Sequence, residues 1–129
     1  MSAPHLVLAV DGAEVRPGPH ERVRELSPDE AGAVLDDELP RLTTGWRLRI
    51  VGTPRAGLLV RAAALARGAL DEEITVEAVG DDGRTVFCAH CHHVFPTAGR
   101  SVGCPACELA LVVDDHVSPR HGAHLGVPV

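Results

Sequence analysis

Cys88-Ala89-His90-Cys91 is followed, after twelve intervening residues, by Cys104-Pro105-Ala106-Cys107. Two residues between cysteines let a tight turn aim both sulfurs at one point. Two such turns on neighbouring hairpins can supply the four corners of a tetrahedral metal site, with Zn–S near ~2.3 Å. The spacer has the length of a strand and its return. Thr85-Val86-Phe87 ahead of the first pair and Leu109-Ala110-Leu111-Val112-Val113 behind the second read as the flanking strands.

These residues are expected to form a four-cysteine zinc ribbon, with Cys88, Cys91, Cys104 and Cys107 as the metal ligands. Zinc closed by four thiolates has no vacant position and is structural, and it supplies stability that a module of about 45 residues cannot draw from burial alone. Four thiolates can also hold a single iron, as in rubredoxin-like one-electron carriers. Such sites sit in cores rich in aromatics, whereas this module has only Phe87 and Phe95, which favours zinc. Disulfides suit an exported chain rather than one in the reducing cytosol. A thioredoxin-type redox pair needs one C-x-x-C at a helix start, and here there are two among strand-like runs. Cys88-Ala89-His90-Cys91-His92 fits the c-type haem attachment pattern too, but that reading gives the second pair no role.

Six of the eight histidines lie beyond residue 83. A catalytic zinc would need an open position, for which His90, His92 or His93 would replace a cysteine, and histidines on a knuckle surface are the commoner case. His116, His121 and His124 follow in the tail, with spacings of four and then two residues that match no common ligand motif. They are expected to belong to a tail packed back on the ribbon.

Upstream, the composition changes. Residues 1–82 carry 15 acidic residues and 9 arginines, net −6, while residues 83–129 carry three of each and are neutral. Gly80-Asp81-Asp82-Gly83 is a turn signal at the join. The chain is therefore expected to divide into an acidic α/β domain, 1–82, and a four-cysteine module with a histidine-containing tail, 83–129. Leu6–Val10 reads as a buried strand ended by Asp11-Gly12, and residues 14–26 read as loop. Ser27-Pro28-Asp29-Glu30 is a helix start with the elements of a capping box, and Pro40 ends that helix. Trp46–Gly52 reads as a strand, Thr53-Pro54 opens an apolar helix to about Arg67 with Gly68 as its stop, and Ile74–Val79 is the next strand. Strand, helix and strand make a βαβ unit within a small sheet of three or four parallel strands.

The turn Gly52-Thr53-Pro54-Arg55-Ala56-Gly57 is not G-x-G-x-x-G, and Pro54 removes a phosphate-cradling N–H. The stretch resembles the second half of the nicotinamide-binding domain of ferredoxin–NADP reductase-type enzymes, which implies a Rossmann-like fold. Val51-Gly52-Thr53-Pro54 stands where those enzymes carry Cys-Gly-Pro, and the absent cysteine counts against hydride transfer. No dinucleotide or flavin site is expected.

All 12 basic residues are arginine, and the chain lacks Lys, Asn, Gln and Tyr, a pattern of GC-rich coding rather than of function. A net charge of −6 and 2% aromatic content argue against nucleic-acid binding. No apolar run reaches the ~20 residues of a membrane span. Met1-Ser2-Ala3-Pro4-His5 lacks the segments of a secretory signal, so the expected location is cytoplasmic.

The paired knuckles, the strand behind them and the tail together resemble the small-subunit family of bacterial dimethylamine monooxygenase (DmmA-like). The matching residues are Cys88, Cys91, Cys104, Cys107, His116, Ser118, Arg120, Gly122, Ala123 and Gly126, with Pro119 where a second arginine is usual and His124 where an aromatic is usual. The resemblance implies a non-catalytic, metal-binding subunit of an oxidative N-demethylase. Haem would sit on a partner subunit, and flavin and iron–sulfur centres on a reductase that passes electrons from NADPH. The role implied for this chain is structural: docking to the haem-bearing subunit or organising electron delivery.

Overall fold

The computed structural model describes residues 5–43 and 45–129. The opening residues 1–4, read above for an export signal, and Thr44 lie outside them.

The first sheet starts with β1 (His5–Val10), whose residues are buried from Leu6 onward. It takes the centre of the sheet, where both faces are covered, and hence reads as a continuous apolar run. β2 (Glu21–Leu26) pairs parallel with it, although residues 14–26 were expected to be loop. The reason is that ion pairs replace apolar burial on this edge strand. Arg22 and Arg24 reach Glu38, and Glu21 accepts from Arg49 at 3.1 Å.

A 3-10 turn at Pro28–Glu30 leads into α1 (Ala31–Glu38). The Glu30 carboxylate closes the helix start by accepting from the Ser27 N–H at 2.9 Å and the Ser27 hydroxyl at 3.0 Å. After β3 (Arg47–Gly52), Thr53 caps α2 (Pro54–Ala66) by accepting from the Ala56 N–H. β4 (Ile74–Ala78) completes a four-stranded, wholly parallel sheet of order β2-β1-β3-β4. Its register places Leu6, Leu8, Val10, Leu48, Ile50 and Val76 on one face, where they pack with Val34 and Leu35 of α1 and Val60 and Ala64 of α2.

The second sheet is built from β5 (Arg84–Cys88), β6 (Val94–Thr97), β7 (Ser101–Gly103), β8 (Ala110–Ser118) and β9 (Ala123–Pro128). Their order is β6-β5-β9-β8-β7, with β5 and β9 parallel and the other pairs antiparallel. The expected flanking strands are β5 and β8, and the spacer supplies β6 and β7. The tail does more than pack back: as β9 it is the central strand, joining two hairpins that otherwise share no edge.

Helix α2 is apolar around much of its circumference because both of its sides are used. One side packs on the first sheet, and the other meets β5 and β9 of the second. No helix among the described residues is long and apolar enough to cross a membrane.

Candidate metal centre

The two C-x-x-C segments fold as the same turn twice. In the first, the Cys88 N–H donates to His93 O at 2.9 Å and the His92 N–H donates to Cys88 O at 2.8 Å. In the second, the Cys104 N–H donates to Leu109 O at 2.9 Å and the Glu108 N–H to Cys104 O at 2.8 Å. The residue after each second cysteine takes the left-handed conformation, with φ of 67° at His92 and 66° at Glu108. That bend carries the chain out of each knuckle and lets the following strand run back beside the preceding one.

The knuckles meet because β9 spaces the two hairpins. The Ala89 N–H donates to Gly126 O at 2.9 Å, tying the first knuckle to this central strand. The four sulfurs lie within 4.8 Å of one another, with Cys88 and Cys107 at 3.8 Å and Cys91 and Cys104 at 3.5 Å. A tetrahedral ion with Zn–S of ~2.3 Å needs sulfurs ~3.8 Å apart. The donor set therefore fits a tetrahedral thiolate-bound metal in number, type and spacing. Cys88 and Cys104 are buried in the second core beside Val86, Phe95, Leu111 and Val113, whereas Cys91 is exposed and Cys107 half-buried. Each knuckle thus gives one inner and one outer sulfur.

The four thiols do not ionise independently. Burial pushes the Cys104 thiol up, but the N–H groups of Cys107 and Ala106 and the neighbouring sulfurs outweigh it and bring the thiol down to about 6. The Leu109 N–H acts to lower the Cys107 thiol, yet burial and the three other sulfurs prevail and push it up to about 12. Once one sulfur carries charge, its neighbours resist ionising. A divalent ion held by all four sulfurs would remove that conflict.

The histidines take other positions. His92 and His121 both stack on the Phe87 ring, with centroid distances of 5.2 Å and 4.5 Å. His93 stacks on Phe95 at 5.8 Å. His124 places Nδ1 3.0 Å from Asp114 O, and His116 donates its backbone N–H to the Asp114 carboxylate. Among the described residues, neither histidine group assembles a metal site.

The tail motif is a packing motif. Ser118 pairs with Ala123 across the β8–β9 turn, and its carbonyl accepts from the Gly122 N–H at 2.8 Å. Ala123 is fully buried, and a Cβ on Gly126 would lie 2.7 Å from Val86 Cγ1. Such a strand is legible in the alternation Ala123, Leu125, Val127, which His124 and Gly126 between them obscured.

At the α2 N-terminus, the Asp82 carboxylate accepts from the Arg55 N–H at 3.2 Å, and the Arg55 side chain donates to Thr85 Oγ1 at 3.1 Å. Burial acts to raise the Asp82 carboxyl, but the Thr53 hydroxyl and the Arg55 N–H outweigh it and hold it below the usual carboxylate range. The place a phosphate would take at this helix end is filled by a carboxylate from the chain itself.

Residues 85–127 match the family model described as dimethylamine monooxygenase subunit DmmA-like, C-terminal domain. The match runs from β5 to β9, so the matched region coincides with the second sheet and includes all four cysteines. The chain is also 34% identical over 113 residues to the heme-dependent oxidative N-demethylase delta subunit of Ectopseudomonas mendocina (strain ymp). That alignment covers 82% of this chain, which spans 65% of the length of the relative. No solved structure matches the chain.

Proposed function

We propose that this chain is a non-catalytic subunit of a haem-dependent oxidative N-demethylase, in which Cys88, Cys91, Cys104 and Cys107 hold one zinc ion. The observation that carries the reading is the pair of equivalent knuckles with sulfurs within 4.8 Å, inside a DmmA-like C-terminal domain. The similarity to a delta subunit of such an enzyme supports the assembly. On this reading haem, flavin and iron–sulfur groups reside on partners, and a secondary amine loses a methyl group on the haem-bearing subunit. Dimethylamine is the candidate amine that the family's name suggests.

Zinc is favoured over iron because the core around the sulfurs is aliphatic apart from Phe95. When bound, it cross-links two hairpins and neutralises crowded thiolates. The chain's own residues then do the rest: the N–H groups of each knuckle orient the sulfurs, and β9 holds the knuckles in register. Residues 1–82 form a Rossmann-like, acidic α/β domain of the cytoplasmic complex, joined through Asp82 to a zinc ribbon of residues 83–129.

Two measurements on purified protein test this. Affinity purification from the native cell is expected to bring down a haemoprotein, seen as a Soret band in the eluate. Elemental analysis of the isolated chain is expected to give one zinc and a colourless solution. Purification without any haemoprotein overturns the assembly, and a red, iron-containing chain with a thiolate-to-iron band replaces zinc by a rubredoxin-like carrier.

A further inference from the structure

The second sheet has two apolar faces, and one of them is half open. Val86, Cys88, Phe95, Leu111 and Val113 form its buried core on one side. On the other, the register sets Val94, Phe87 and Leu125 in a row across β6, β5 and β9, with Val127 opposite Val112 one step further along. At one end this face is closed by α2. Thr85 and Ala123 are buried there, and Gly122 abuts the α2 backbone. At the other end Val94, Val112 and Val127 are 45%, 47% and 41% exposed, with the terminal Val129 beside them.

A sheet facing water on one side normally alternates apolar and polar residues along its strands, so a tract of β-branched residues on adjacent strands marks a surface that is covered in its working state. Charge indicates by what. Val112, Val127 and Pro128 floor a cavity of about 390 Å³ whose edge carries Asp114, Asp115 and Arg100. Among the described residues, the cation that meets the two carboxylates there is Arg100, 3.8 Å from Asp115. An apolar floor with an acidic edge matches the alkyl stem and charged head of an arginine or lysine.

We propose that the open half of this face docks a partner subunit that presents an apolar patch flanked by an arginine or lysine, which enters the Val112–Val127 cavity and pairs with Asp114 and Asp115. The inference rests on the subunit reading above and adds the surface through which assembly occurs.

The test measures binding of the full chain to the purified haem-bearing subunit by isothermal titration calorimetry, at low and high salt. Val112→Ser with Val127→Ser is expected to weaken binding at least tenfold. Asp114→Asn with Asp115→Asn is expected to weaken it at low salt and flatten its salt dependence. Far-UV circular dichroism and metal content confirm that each variant is folded. Unchanged affinity of both folded variants overturns this surface and leaves the subunit reading standing. Failure of the wild-type chain to bind overturns both. Self-association of the wild-type chain that the serine variant abolishes assigns the face to a second copy instead, and also overturns the proposal.

Discussion

Gly122 lies against Leu58 so closely that a Cβ on the glycine would stand 2.5 Å from the Leu58 carbonyl oxygen. Gly122 also has a φ of +62°, where only glycine is unstrained. This point joins the two sheets: the β8–β9 turn rests on α2 through a residue without a side chain.

Gly122→Ala is therefore predicted to cost about 2–4 kcal/mol, from the left-handed conformation and the displaced helix together. Gly68→Ala is the control. It has a φ of +93° but nothing within 4 Å, so it is predicted to cost only about 1–2 kcal/mol. Urea unfolding of both variants gives the comparison, and equal losses would show that the packing against Leu58 contributes nothing.

His92 and Glu108 occupy equivalent left-handed positions in the two knuckles. Glu108→Gly is predicted to stabilise the metal-bound protein by about 0.5–1 kcal/mol. His92→Gly is predicted to gain less, because it also removes the stack on Phe87. Thermal melts of the two variants decide the order.

Glu38 is a buried carboxylate, 1% exposed, that links α1 to Arg22 and Arg24 on β2. The Arg22 hydrogen bonds are the main reason its carboxyl falls to about 2 from its ordinary value of 4.5. A group with a lowered native pKa stabilises the fold above its unfolded pKa, and that stability is lost as pH falls from about 4.5 toward 2. Glu38→Gln is predicted to cost about 2–3 kcal/mol at pH 7, less than a fully buried broken pair because both arginines are partly solvated. Its stability should vary less across that acidic window than that of the wild type. Urea midpoints from pH 2.5 to 7 test the slope.

The first-sheet elements around Leu6–Val10, Ser27–Glu30 and Thr53–Gly68 were legible because apolar periodicity and capping chemistry are local signals. The four cysteines were legible because metal geometry imposes a spacing. β2 was not, since an edge strand held by Arg22, Arg24 and Glu21 ion pairs has no apolar signature. Nor was the central place of β9: its partners, β5 and β8, are set by long-range pairing that no local pattern encodes. Asp82 read as part of a turn, and its capping of α2 depends on a contact 27 residues distant in the chain.

The inner and outer sulfurs should respond differently to substitution. Cys107 is half-buried, so Cys107→Ser is predicted to keep a weakened site, in which water or the hydroxyl completes the coordination. Cys88 is fully buried at the centre of the second core, and Cys88→Ser is predicted to lose the metal and the native β5–β9 pairing together. Competition against a chromophoric chelator, with circular dichroism, measures both. Equal metal retention in the two variants contradicts the distinction.

X-ray absorption at the metal edge of the purified chain bears most directly on the central claim. The predicted spectrum is that of one zinc per chain surrounded by four sulfur scatterers at ~2.3 Å, with no nitrogen or oxygen in the first coordination sphere. A metal-free protein with four freely reactive thiols, or a site with histidine nitrogen in place of any of the four sulfurs, contradicts it.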